Sequence, residues 1–306
     1  MEPRFAAPRY WATWLLLGVL RTAAALPFAA QLAVGRALGA TVRVLPIRWV
    51  SIARRNLEIC FPELDAAGRE RLLKQHFAAL GIGMVEAATT WWTDDRQITA
   101  RSQVEGLALL DEALAEGRGV IVLTAHFTTI EIGARILNAR RPIHVVYRPL
   151  GNDLLAAVSG RHFGRRSRGA IERDDVRAMV RALRRNEVLW YAPDQAFRRP
   201  GARAVPFFGV DVPTNVFTAR LAATTGARVL YYACERLPGR GGYRATLSTM
   251  PEACDPCPIK ATRAYHALIE AQVRRIPEQY WWVHRRFKSM TPAGVDPYAR
   301  RERPAG

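Results

Sequence analysis

The apolar positions change their period twice along the chain. Residues 10–20 and 22–35 form two nearly continuous apolar blocks, parted by Arg21 and followed by Arg36 and Arg43. Neither block reaches the ~20 uninterrupted apolar residues of a helix that crosses a bilayer. Tyr10, Trp11 and Trp14 at one end and arginines at the other are the flanks of an interfacial or obliquely inserted helix. The alternative is a buried helical hairpin kinked at Pro27. From residue 48 to about 92, Ile52, Leu57, Ile59, Leu72, Leu73, Phe77 and Leu80 recur at three- and four-residue steps around a Phe61-Pro62-Glu63 break. That period predicts helix leading into the core.

Beyond it, short apolar runs alternate with amphipathic stretches. The spacing predicts helices over 107–116, 130–137, 174–185 and 214–223, and strands over 119–124, 144–147, 188–192, 229–234 and 243–248. Strands alternating with helices of this length predict an α/β fold: a mixed, mostly parallel sheet flanked by helices, with an N-terminal membrane-associated helical segment. The expected division is an anchoring segment, residues 1–45, and a main domain, residues 46–306. Residues 300–306, charged and Pro-bearing, are expected to fray.

With 306 residues and 49% apolar content the chain buries a full core. Its net charge of +18 points to anionic partners: anionic lipid, an acidic carrier protein or nucleic acid. All but three of the 45 basic residues are arginine, which suits bidentate contact with phosphate or carboxylate and is equally what a biased base composition yields. They are dispersed rather than gathered on one helix or arm, and no recognition motif accompanies them, so nucleic acid is not an expected partner. Cys60, Cys234, Cys254 and Cys257 are too few and scattered for a disulfide framework and fit a reduced, cytosol-facing catalytic part. Cys254-Asp-Pro-Cys257 has a metal-like spacing, but no second pair follows it, so neither metal nor cofactor is expected.

The chemistry concentrates on Gly117-Arg-Gly-Val-Ile-Val-Leu-Thr-Ala-His126, a buried strand that delivers a histidine at its carboxyl end before a turn and a helix. Ligands of open α/β sheets sit at that edge. Glu131, in the first turns of the next helix, can be folded back to the imidazole. A carboxylate on one ring nitrogen fixes the tautomer and leaves the other nitrogen free to take a proton. Asp194 and Gln195, after the strand 188–192, should reach the same edge.

Further motifs stand in order around this one. They are Arg55-Asn-Leu57 with Cys60-Phe-Pro-Glu63, Tyr147-Arg148-Pro149-x-x-Asn152, Pro193-Asp194-Gln195, Val205-Pro-Phe-Phe-Gly209 with Thr214, and Pro277-Glu-Gln-Tyr-Trp-Trp282 with His284-Arg-Arg-Phe287. Together with His126-x-x-x-x-Glu131 they resemble the late acyltransferases of lipid A biosynthesis, within the glycerophosphate and lysophospholipid acyltransferase superfamily.

The resemblance implies transfer of a fatty acyl chain from an acyl-carrier-protein or coenzyme A thioester to a hydroxyl of a lipid A precursor, an anionic glycolipid. The place implied is the cytoplasmic face of the inner membrane, with residues 1–45 kept as the anchor and the rest as the acyltransferase domain. It makes His126 and Glu131 catalytic, with no covalent acyl-enzyme. Arg148, Asn152, Arg161, Asp194 and Gln195 become substrate-binding candidates, Arg148 or Arg161 also as a charge near the developing oxyanion. Val205–Val210 is a candidate wall for an acyl chain or plain core. Arg165-Arg-Ser-Arg168 and Arg198-Arg199 are candidate docking sites for an acidic carrier or lipid phosphates. Acylation of another glycolipid such as a mannosylated phosphatidylinositol, or hydrolysis of a lipid or thioester, is the alternative outcome of the same site.

Overall fold

The computed structural model describes residues 3–148, 151–166, 168–255, 257–287 and 296–299. Up to residue 100 the described chain is helical. Pro27 forces Leu26 into extended backbone and so separates α1 (Trp11–Ala25) from α2 (Phe28–Val44). Helix α3 (Arg48–Cys60) ends at Phe61-Pro62. Asp65 then starts the 27-residue α4 (Ala66–Trp92) by accepting from the Gly68 N–H at 2.6 Å, and the short α5 (Asp95–Ala100) follows.

Helices α2 and α4 meet backbone to backbone. A Cβ on Gly39 would lie 1.9 Å from the Phe77 carbonyl oxygen, and one on Gly81 2.1 Å from that of Gly35. Only glycine permits this approach, and it docks α2 firmly on the scaffold.

The remaining elements, in chain order, are β1 (Ser102–Glu105), α6 (Leu107–Ala115), β2 (Val120–Leu123), α7 (Ile130–Asn138), β3 (Ile143–Tyr147), α8 (Asp153–Arg166) and β4 (Gly169–Glu172). There follow α9 (Val176–Arg184), β5 (Val188–Tyr191), β6 (Arg203–Phe207), β7 (Val210–Thr214), α10 (Phe217–Thr225), β8 (Arg228–Arg236), β9 (Tyr243–Thr249) and α11 (Pro258–Arg275). Seven strands form one sheet in the order β1-β9-β8-β2-β5-β3-β4, in which only β8 and β9 pair antiparallel. The mixed, mostly parallel sheet expected from the alternation is therefore present.

Central β2 is buried on both faces. Ile121 and Leu123 pack with residues of α3, α4, α9, α10 and α11, and Val120 and Val122 with residues of α6 and α7. Parallel strands covered on both sides need such continuous apolar runs. A buried ion pair ties α4 to the sheet: Arg236 Nε donates to Glu86 Oε1 at 2.6 Å, and the Tyr243 hydroxyl donates to the same oxygen at 2.8 Å.

Several expectations shift. The helix anticipated over 214–223 begins at Phe217, because Thr214 completes the β6–β7 hairpin. That hairpin turns through Phe208 and Gly209, both at positive φ (50° and 73°). Val205 and Phe207 are core rather than cleft wall, with Phe207 stacked against Phe287 and tilted onto Tyr280. No single helix among the described residues is long and apolar enough to cross a membrane, and α2 and α3 would do so only as a pair bent by 92°.

Candidate active site

The site lies at the carboxyl edge of the two central strands. Thr124 N–H donates to the Tyr191 carbonyl at 2.9 Å, extending the β2–β5 ladder one residue toward His126. The chain then turns into α7, and residues 279–281 clamp the turn. Trp281 N–H donates to the His126 carbonyl at 2.9 Å and Thr128 N–H to that of Gln279 at 2.7 Å. Gly83 of α4 closes the turn from outside, where a Cβ would lie 2.4 Å from the Thr128 carbonyl oxygen. The backbone that carries His126 is thus held by main chain from β5, from residues 279–281 and from α4.

Asp194 follows β5, the strand beside β2. Its Oδ1 lies 2.5 Å from His126 Nδ1, and its Oδ2 accepts from the His126 backbone N–H at 3.0 Å and the Tyr280 hydroxyl at 3.2 Å. The carboxylate is only 2% exposed. Burial alone would raise it, but the charge and two hydrogen bonds of His126, with the charge of Arg286, hold it down at about 2. For His126, burial favours the neutral ring. The charge and hydrogen bond of Asp194, then the charge of Glu131, outweigh burial and lift the imidazole above its ordinary value. With Nδ1–H directed at Asp194, Nε2 is the free base, and it has no partner among the described residues.

The ring nitrogen expected for Glu131 is therefore taken by Asp194. Glu131, in the first turn of α7, acts on His126 through its charge, and no hydrogen bond joins them among the described residues. Desolvation by surrounding protein raises its carboxyl, opposed by the attraction of His126. The side chain is nevertheless open to the cleft, so this desolvation is full only when apolar matter rather than water fills the space.

His126 and Glu131 open into a cleft of about 640 Å³. Its lining combines the apolar Ala87, Trp91, Ile130, Ala134, Val145 and Trp190 with the polar and cationic Arg148, Arg173, Gln195 and Asn215. The exposed Arg148 and the half-buried Gln195 thus line the space open to substrate.

Two substrate-binding candidates do not. Asn152 spends its amide within the fold, its Oδ1 accepting from Leu155 N–H at 3.0 Å to start α8 and its Nδ2 donating to Thr13 Oγ1 at 3.1 Å. Asp194 lies beneath His126 and serves the ring instead. Arg161 belongs to α8, but its side chain, like those of Arg165 and Arg166, lies outside the described residues. Of the basic docking candidates, Arg168 pairs with Glu187 at 2.9 Å and Arg199 with Asp174 at 2.7 Å.

Sequence reasoning missed Tyr280, Arg173 and Asn215 as parts of the site, and gave His284 no role. His284 lines both the cleft and a small cavity beneath His126, and its Nε2 accepts the Ala196 N–H at 3.1 Å. Arg286 is buried just behind, donating to Pro213 O at 3.1 Å and Thr214 Oγ1 at 3.0 Å. The dense motif that contains both was the only available signal.

Comparison with known proteins places this arrangement. Residues 1–289 match the family model of the bacterial lipid A biosynthesis acyltransferases. The chain is 37% identical over 286 residues to the lipid A biosynthesis palmitoleoyltransferase of Escherichia coli K12, covering 93% of this chain and 94% of that protein. It is 34% identical over 302 residues to the lauroyltransferase of the same strain, covering 96% and 97%. The myristoyltransferase of that strain is 25% identical over 310 residues, with 98% and 94% covered. A family match over nearly the whole chain, joined to an α/β sheet with a histidine at its central carboxyl edge, means that the chain belongs to the bacterial lipid A biosynthesis acyltransferase family and is an O-acyltransferase.

Proposed function

We propose that this enzyme moves a fatty acyl chain from an acyl-carrier-protein or coenzyme A thioester to a hydroxyl of a lipid A precursor at the cytoplasmic face of the inner membrane. The observation that carries the reading is the open Nε2 of His126, backed by a buried Asp194, at a cleft lined by both apolar and cationic side chains.

His126 Nε2 takes the acceptor hydroxyl proton as the oxygen attacks the thioester carbon. Asp194 stabilises the imidazolium that forms, and the nearby charge of Glu131 adds to it. The new C–O bond closes as the C–S bond breaks, and the proton held by His126 leaves with the thiolate. No acyl-enzyme is required, and the sequence has no G-x-S-x-G elbow. The apolar lining residues suit the acyl chain, and Arg148 and Arg173 suit the anionic acceptor.

The anchor reading of residues 1–45 draws support from the surface. Among the described residues, twelve of the fifteen exposed large apolar side chains lie between Trp11 and Trp49, with Trp11 66% and Leu15 72% exposed. An apolar patch confined to α1, α2 and the start of α3 suits an interfacial seat.

The test is a reconstituted assay with full-length protein in mixed micelles, an acyl-carrier thioester and an under-acylated lipid A precursor. The expected product is the precursor with one more acyl chain. Free fatty acid in its place would make the protein a hydrolase, and acylation of a mannosylated phosphatidylinositol alone would change the acceptor.

A further inference from the structure

The proposed reaction leaves one demand unmet, a donor for the negative charge that gathers on the thioester carbonyl oxygen. Arg148 is exposed to solvent at the cleft. A fixed, partly shielded N–H serves better, because it is already oriented when the charge develops. His284 has this character.

The ring is held by a bond that dictates its tautomer. A backbone N–H only donates, so the 3.1 Å contact from Ala196 requires a lone pair on His284 Nε2. A neutral imidazole with a lone pair on Nε2 carries its proton on Nδ1. Among the described residues nothing pairs with that Nδ1, and it is not a sealed atom. Asn56 Nδ2 donates to the backbone carbonyls of Trp282 at 2.6 Å and His284 at 2.8 Å, which fixes the segment that carries the ring. His284 and His126 line the same cleft.

We propose that His284 is a second catalytic histidine: its Nδ1–H donates a hydrogen bond to the thioester carbonyl oxygen as His126 activates the acceptor. The inference rests on the acyl-transfer reading of His126. It divides labour between two rings of opposite character. Asp194 lifts His126 above its ordinary value, as suits a base. Burial, then the charges of His126 and Arg286, outweigh Asp194 at His284 and bring it down to about 4, so it stays neutral and its tautomer holds through the neutral range.

Two substitutions separate catalysis from simple support of the 195–197 loop. In His284→Gln the amide oxygen takes the place of Nε2, keeping the bond from Ala196 but losing the Nδ1 donor. His284→Asn places an amide N–H near Nδ1 and gives up the Ala196 bond. Steady-state kinetics in the micelle assay should show kcat of His284→Gln lowered about 10²- to 10³-fold with KM for both substrates little changed, the usual loss of one oxyanion donor. His284→Asn should keep kcat within about tenfold of wild type, as the shorter amide restores the donor imperfectly. The reverse order, equal impairment of both, or an effect confined to KM would overturn the assignment. His126→Ala in the same series guards the underlying reading. If it is inactive while His284→Gln is normal, only the role of His284 fails. If it remains active, the acyl-transfer mechanism itself fails.

Discussion

Asp194 Oδ1 sits 2.5 Å from Nδ1 of His126, joining the ends of two adjacent parallel strands by a charge-assisted hydrogen bond. The same carboxylate holds the His126 backbone N–H, so ring and main chain are oriented together. A base built this way has a fixed tautomer before substrate arrives.

Asp194→Asn removes the charge that lifts His126. The wild-type rate should climb with pH through a midpoint above the ordinary histidine value of 6.5, because only the neutral ring accepts a proton. In the variant that midpoint should move down, and the plateau of kcat should fall about 10²-fold or more. A pH series of initial rates reads both, and an unmoved midpoint would dissociate Asp194 from the base.

Glu131→Ala is expected to cost about 10²-fold in kcat with the fold retained. Its charge is the smaller of the two acting on His126, so Glu131→Gln should lower the same midpoint by less than Asp194→Asn does. Circular dichroism and rate measurements check both points. Near-normal turnover in Glu131→Ala would leave Asp194 as the sole carboxylate that matters.

Stability should fall on mild acidification. His76 and His266, 0% and 1% exposed, are pressed down to about 4 mainly by burial. Above 6.5 each is neutral folded and unfolded. As the pH drops from 6.5 toward 4 the unfolded chain takes up protons that the folded chain refuses, at a cost on the order of 3 kcal/mol per fully shifted histidine. His126 acts in the opposite sense, its contribution being present at low pH and lost as the pH rises through its raised value. With His76, His266 and the half-buried His284 all depressed against the single raised His126, thermal melts at pH 7 and pH 4.5 should show the lower midpoint at pH 4.5. A flat profile would mean that these sites hydrate easily.

The docking of α2 on α4 gives a paired packing test. Gly39→Val drives side-chain atoms into the Phe77 carbonyl and should destabilise by about 1–3 kcal/mol or more. Nothing lies within 4 Å of a Cβ at Gly18 on α1, so Gly18→Val there should leave the melting temperature almost unchanged. Equal midpoints for the two variants would argue against the backbone-to-backbone crossing.

Much of this was legible because buried parallel strands announce themselves. Val120–Leu123 and Val188–Tyr191 are unbroken apolar runs, and such runs read as strand ends with chemistry at their edge. The edge strand Gly169–Glu172 alternates exposure and begins with glycine, and gave no such signal. Pro206 and Pro213 hid the β6–β7 hairpin. Pro258 occupies the first turn of α11, where its missing N–H costs nothing.

The site was half legible for a related reason. His126 and Glu131 are local in sequence, so their spacing could be weighed directly. The partner of His126 comes from a neighbouring strand 68 residues away, and the hydrogen bond that sets His284 spans 88. Local spacing carries no record of such contacts. Only the ordered strands, which predicted that Asp194 shares the edge, hinted at one of them.

The central claim, that His126 drives acyl transfer to a lipid A precursor, is tested most directly by mass spectrometry of lipid A. The cells would lack their own late acyltransferase and express either the wild-type chain or His126→Ala at matched levels. Wild type should add the mass of one acyl chain, whose length the spectrum also reports, and His126→Ala should add none. An unchanged lipid A profile with wild type, or the same added mass with His126→Ala, would contradict the account.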